Sequence, residues 1–350
     1  MNLSEVLFFS LFLIFILSIL MIDLGLFNKK SRIVSFKESL IWTSVWISFA
    51  LGFYVLLLTN GKLIHGITDI EYLKSISEKF QHQIELDGLG FAEAIKVYQN
   101  NLALEYITGY LIEYALSIDN VFVMIMIFMA FGIEQKYYHR VLFWGILGAV
   151  IMRFIFIFGA SALIQEFTWT LYLFGLLLVY TGVKMFLTRN KEEKIDSAHH
   201  PVVKFASKYF AVDSAYKGHS FRITKENGKK YFTTLFVVLL VIEFTDVIFA
   251  VDSVPAIFSI TKDPYIVFFS NIFAIIGLRS LFFLLMNAMN YFHYLKVGLS
   301  ILLTFIGVKL LAHHYLHEIG FETVHSLYIV LGILGTSMIA SLLFPDKKKA

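Results

Sequence analysis

Two stretches of apolar sequence carry acids in the same pattern. EYALSIDNV (113–121) and DVIFAVDSV (246–254) each set an acid, five intervening residues, an aspartate, a small polar residue and a valine in that order. With Glu243 just upstream of the second stretch, five acids lie in hydrophobic surroundings: Glu113, Asp119, Glu243, Asp246 and Asp252. Carboxylates with the hydroxyl and amide oxygens of Ser117, Asn120 and Ser253 are hard ligands, suited to Mg²⁺, Ca²⁺ or Mn²⁺ rather than to Cu⁺ or Zn²⁺. The absence of cysteine points the same way and excludes a disulfide framework, a thiolate zinc site and an iron–sulfur cluster. An ionisable group at the centre of a bilayer costs about 2.5–3.5 kcal/mol on insertion scales, so it faces the protein interior and takes a partner. The deep bases are Arg153 and Arg279, two against five acids; protons or a cation must make up the difference. The competing reading is that the acids only pair with these arginines and lock helices together.

The elements that must position these groups are membrane helices. Of the 350 residues 58% are hydrophobic and 16% charged, with mean hydropathy +0.74, against about 45–50% and about 25% in ordinary soluble domains. A bilayer core of about 30 Å takes about 20 apolar helical residues. Nine stretches qualify: 5–27, 39–59, 107–133, 141–165, 168–187, 231–260, 265–290, 294–312 and 324–344. The first is longer than the apolar core of a signal peptide and no basic residue precedes it, so it is expected to stay in the mature chain. Cytoplasmic loops keep the excess of Lys and Arg; with the N-terminus outside and the C-terminus inside, 20 of the 29 fall on the inner side. The expected fold is an all-α polytopic membrane protein.

The acid pattern is one part of a longer repeat. Arg153 in the fourth span corresponds to Arg279 in the seventh, and Gly182-Val183-Lys184 in the fifth to Gly307-Val308-Lys309 in the eighth. Two three-helix units, 107–187 and 231–312, are thereby expected, and an odd number of spans between equivalents makes them inverted. Inverted repeats are an architecture of secondary transporters, with the site near the midplane between them. The remaining segments are two peripheral helices with an acidic outer loop (1–106), a basic inner loop (188–230) expected on anionic lipid, and a last helix with a basic tail (313–350). In the outer loop, the amphipathic stretch 70–80 is expected on the membrane surface.

On an ideal helix Glu113, Ser117 and Asn120 share a face, whereas Asp119 is turned about 120° away from Glu113; Glu243 and Asp246 are neighbours and Asp252 again falls off their face. For each acid pair to reach one ion the helices are expected to unwind between the acids, with Pro255 assisting. Other features take plainer readings: His313, His314 and His317 as a solvated helix end, Met124, Met126 and Met129 as packing, Asp23 as an interfacial partner of Lys29 or Lys30, and Glu105 as a helix-start acid with an outer vestibule role as its alternative. No H-E-x-x-H, P-loop or G-x-S-x-G motif is present, so no enzymatic activity is expected. The net charge of +3 gives no reason to expect nucleic acid as a partner.

The strings LEYITGYLIEYALSIDNVFV (104–123), YYHRVLFWGILGAVIMRFIFI (137–157), VVLLVIEFTDVIFAVDSVPAIFSIT (237–261) and FFSNIFAIIGLRSLFFLL (268–285) resemble the TerC family of membrane proteins, its Alx-type branch in particular. The resemblance, from about residue 23 to 311, implies a seven-to-nine-span fold related to the LysE transporter superfamily. It also implies Mn²⁺ export with a link to alkaline pH, and Glu113, Asp119, Glu243, Asp246 and Asp252 as the acids that carry the metal. The family name comes from tellurium resistance, which implies wider roles. The functional expectation is therefore a multi-pass inner-membrane exporter with Mn²⁺ as transported substrate rather than cofactor, working by alternating access. Burial favours the neutral form of an acid, so protons can serve as counter-ion on the same carboxylates. The alternatives are another divalent cation as substrate, Ca²⁺ or Mg²⁺, or a membrane scaffold or assembly factor whose charges are structural.

Overall fold

The computed structural model describes residues 3–23, 34–167, 169–188, 211–213, 220–225, 229–288, 294–312, 315–316, 321 and 323–344. Its helices are α1 (Leu3–Asp23), α2 (Phe36–Asn60), α3 (Ile70–Phe80), α4 (Phe91–Ala130), α5 (Tyr138–Glu166), α6 (Thr170–Leu187), α7 (Thr234–Phe258), α8 (Pro264–Ile276), α9 (Leu278–Ala288), α10 (Leu295–Leu311) and α11 (Thr323–Leu343). Between α6 and α7, β1 (Val212–Asp213), β2 (Arg222–Thr224) and β3 (Lys230–Thr233) form a small sheet in the order β1-β3-β2. Among the described residues α2, α4, α5, α7 and α11 are long and apolar enough to cross a membrane, and α8 with α9 makes a sixth, bent span. Shorter apolar helices cover 5–19, 172–187 and 297–311, where the other three spans are expected. The fold is all-α and polytopic.

The three-helix units interlock. The first helix of one, α4, packs chiefly on the second of the other, α8, while α5 packs chiefly on α7. The third helices, α6 and α10, make the most extensive pairing. That pairing is reciprocal. A Cβ added at Gly182 would lie 2.7 Å from Thr304 N and 2.8 Å from Ser300 O; one added at Gly307 would lie 2.7 Å from Val179 N and from Gly175 O. The pairs 182/307, 179/304 and 175/300 are each 125 positions apart, so each contact maps onto the other when the units exchange, as a two-fold relation requires. The early part of α6 meets the late part of α10, so equivalent helices run in opposite directions. Only glycine allows backbones this close.

Four details differ from the sequence expectations. First, α4 and α7 are continuous helices through their acids; the expected unwinding does not occur, because both lie in a packed bundle where an interrupted backbone ladder has no compensating partner. The break falls instead in the seventh span, at Gly277, where α8 and α9 meet at 42°. Second, residues 91–106 belong to α4 rather than to an outer loop, and 40 residues make a rod of about 60 Å, twice the apolar thickness. Third, α3 lies on protein rather than on the membrane surface, with Leu73, Ile76 and Phe80 in the main core. Fourth, Glu105 is no helix-start acid: it sits well inside α4, 2% exposed.

The core divides into two clusters. The larger includes Phe12, Phe53, Tyr106, Phe269 and Phe273; the smaller, toward the other end, includes Phe128, Tyr138, Val241 and Phe282.

Candidate functional site

Beside residues of both clusters lies a group of deeply buried charges. Arg153 on α5 and Glu113 on α4 are both 0% exposed, and Asp246 on α7 is 3% exposed. Arg153 Nη1 is 2.6 Å from Glu113 Oε1 and Nη2 is 3.9 Å from Asp246 Oδ1. The same Nη1 donates to Ser253 Oγ of α7 at 2.8 Å and to Asn271 Oδ1 of α8. One guanidinium thus joins four helices, α4 and α5 of the first unit and α7 and α8 of the second. The repeat supplies this arrangement: each unit contributes its first two helices, and inversion places their middles at one depth.

The polar atoms here are incompletely satisfied. Both oxygens of Asp246 and Nε of Arg153 are buried without a hydrogen-bond partner, while Glu113 is held against Arg153 and lies beside Ser253. Asp246, stripped of water and with no hydrogen-bond donor on either oxygen, is a strong site for a cation.

The remaining expected residues are less concentrated. Ser117 and Asn120 are buried on α4 at 1% and 3% exposure, and Ser253 on α7 at 2%. Glu243 is half-buried, and its carboxylate lies directly against Gly148 of α5, where any Cβ would overlap both its oxygens. Arg279, the repeat counterpart of Arg153, is half-buried in α9 and engaged in an interaction of its own. The side chains of Asp119, Asp252 and Asp23, and all of Lys29, Lys30, His313, His314 and His317, lie outside the described residues. Met124 is buried, Met126 half-buried and Met129 exposed. Among the described residues no three histidines or acids converge as a ready metal cage; the described arrangement is centred on an arginine.

Two participants were not anticipated. Asn271 is an amide in the apolar run FFSNIFAII, eight residues before Arg279, and a polar side chain inside a span is itself the signal that would have found it. Gly148 carries no such signal, since its role is to leave room.

Comparison with known proteins agrees with this architecture. The profile described as the integral membrane protein TerC family matches residues 98–349. A membrane protein of Myxococcus xanthus is 41% identical over 332 residues, 95% of this chain and 91% of the relative. A Photorhabdus laumondii protein with the name Alx and described as a membrane-bound redox modulator is 38% identical over 341 residues, 97% and 95% of the two chains. Another of that name, from Salmonella typhi, is 44% identical over 237 residues, 68% and 72%. No solved structure matches. With most of its length matched by the family profile and nearly all of it by relatives, the chain belongs to the TerC family of integral membrane proteins.

Proposed function

We propose that the chain exports Mn²⁺ across the cytoplasmic membrane by alternating access at the Glu113, Asp246 and Arg153 site. The observation that carries the reading is the pair of buried carboxylates, Glu113 and Asp246, held where both inverted units meet, with neither Asp246 oxygen hydrogen-bonded. Two carboxylates, with Ser253 and the Asn271 amide oxygen beside them, make an all-oxygen donor set of the kind hard divalent cations take. Glu243, one turn from Asp246 and seated on Gly148, is the next acid along α7 toward the expected inner side.

Arg153 then has a specific task. In this conformation it stands where a cation would, so it neutralises the acids when no ion is bound and allows an empty carrier to change its facing without bare charges in the bilayer. An arriving divalent ion displaces the guanidinium from Glu113; the ion's departure lets it return. The apolar clusters on either side seal the site in this state. Proton exchange on the same acids supplies counter-ion movement in this reading.

The test is Mn²⁺ flux into proteoliposomes containing the purified chain, followed with a Mn²⁺-quenched dye. Flux that Glu113→Gln and Asp246→Asn each abolish supports the reading; equal flux in wild type and variants ends it. Competition by Ca²⁺ and Mg²⁺ fixes the ion, since Mg²⁺ holds its water and Ca²⁺ takes more ligands.

A second reading, a membrane scaffold or assembly factor, draws on the same Arg153, which ties four helices as a structural ion pair would. Under it Glu113→Gln with Asp246→Asn changes complex formation and leaves metal content alone. The relatives' name speaks of redox modulation; this chain contains no cysteine, so it brings no thiol–disulfide couple of its own.

A further inference from the structure

A second buried ionic cluster lies at the other end of α4's polar path, and neither the exporter nor the scaffold reading uses it. His65, from the turn after α2, is 0% exposed, with Nε2 2.8 Å from Asp263 Oδ2 and Nδ1 3.3 Å from Glu5 Oε1. His82, from the turn after α3, is 7% exposed with Nδ1 2.9 Å from Glu105 Oε1. Glu105 also accepts from Asn101 at 2.7 Å and from Thr261 Oγ1 at 2.6 Å. Asp263 serves twice, since its Oδ1 caps α8 by accepting from Tyr265 N at 2.9 Å. The cluster therefore fastens the 61–90 segment, α3 included, to α1, to α4 and to the α7–α8 turn. Lys262 adds a contact to Gln81.

The balance of charge depends on two protons. Facing the imidazoles are Glu5 from α1, Tyr98 and Glu105 from α4, Asp263 from the α7–α8 turn, Tyr265 from α8 and Phe80 from α3. Tyr72 of α3 lies within electrostatic reach of Asp263's neighbours, and Lys309 of α10 within reach of Glu105. With both histidines charged, two cations meet three carboxylates. With both neutral, three carboxylates share a dry pocket. Burial pushes the His65 imidazole toward its neutral form, but Asp263 and Glu5 outweigh it and hold the group at about 9. Burial acts on His82 in the same direction and Glu105 again prevails, raising it. His82 Nε2 is buried with no partner, which makes this the weaker half of the fastening.

We propose that this cluster is a proton-operated latch: with its histidines protonated it clamps the 61–90 segment as a lid over the end of α4 and the α7–α8 turn, and loss of those protons releases the lid. Glu105 lies two turns along α4 from Glu113, about 12 Å, so the latch sits a short way along the same helix from the central site. The latch stands on its own geometry, and its test requires no transport.

The absence of cysteine makes the chain ready for single-thiol labelling. Ser77 is 7% exposed on the underside of α3 and Ser75 is exposed on the same helix, so Ser77→Cys reports a lifted lid and Ser75→Cys corrects for thiol ionisation. The rate of reaction of the full chain in detergent with a polar maleimide is measured for each, and the Ser77/Ser75 ratio is followed from pH 7 to 10. The latch predicts a ratio that rises on the order of tenfold as pH passes the His65 value, and a ratio already high and flat when His65→Gln is added. A ratio flat within about twofold in the otherwise native chain overturns the proposal. So does a rise that persists in His65→Gln, or a low, flat ratio in that variant. If His65→Gln does not fold, the titration of the otherwise native chain decides alone.

Discussion

Arg153→Met removes the one charge that joins four helices while keeping the apolar stem. The wild-type Nη1 lies 2.6 Å from Glu113 and Nη2 3.9 Å from Asp246, with all three side chains at 4% exposure or less. At an effective dielectric of about 20, a unit pair at about 4 Å is worth about 4 kcal/mol, and breaking a buried pair by removing one partner typically costs about 3–5 kcal/mol because the other charge is left bare. Ser253 and the Asn271 oxygen lose their donor as well. At about 2 °C per kcal/mol in a long chain, the apparent Tm of the purified protein should fall by about 6–10 °C, read by tryptophan fluorescence. Adding Glu113→Gln removes the stranded charge and should recover about 1–3 kcal/mol of that loss, a coupling of the size found for contacting residues. The reasoning is refuted if Arg153→Met melts within about 2 °C of wild type, or if Glu113→Gln makes it worse.

Further outcomes follow from the same geometry. Gly148→Ala forces the Glu243 carboxylate off α5, whereas Gly145→Ala meets only Ile242 at an ordinary 3.4 Å; the first should depress ion flux several-fold and the second leave it unchanged, with both folding. Gly307→Ala places a methyl 2.7 Å from the Gly175 carbonyl, while Gly332→Ala enters open space. Overpacking costs about 1–3 kcal/mol, so a Tm loss confined to Gly307→Ala is expected in thermal unfolding. The histidine pairs also set a pH dependence. His65 is raised from 6.5 to about 9, so its stabilisation is complete below about pH 6.5 and disappears as pH climbs through about 9. Tm should decline between about pH 6.5 and 9, and His65→Gln should remove that decline. Asp263 works in the opposite sense: burial pushes its carboxyl up, but His65 and His82 hold it below its usual value of 3.8. Its contribution is present above that value and lost only in acid, so between pH 5 and 7 Asp263→Asn should lower Tm by a constant amount.

How much of this was legible without coordinates depends on how local the signal is. The inverted units were readable because acid, arginine and glycine recur in order, and the reciprocal contacts of Gly182 and Gly307 answer to that spacing. The N-terminal extension of α4 was missed because a span criterion based on hydropathy stops at Glu105, although Phe91, Ala94, Ile95, Tyr98 and Leu102 already follow helical spacing. The unwinding between paired acids failed as an inference for a different reason. It assumed that both acids of a helix must meet one ion, whereas Glu113 and Asp246 meet across helices through Arg153. The His65, His82, Glu5, Glu105 and Asp263 cluster had no sequence signal: its members come from five separate segments and are joined only by tertiary packing.

The central claim is tested most directly by cellular Mn after a Mn²⁺ challenge, measured by elemental analysis in a strain without its own exporters. The strain carries either this chain or its Asp246→Asn variant at equal expression. The account predicts lower Mn with the wild-type chain and no lowering with the variant. Mn unchanged by the wild type, or lowered equally by both, would contradict it.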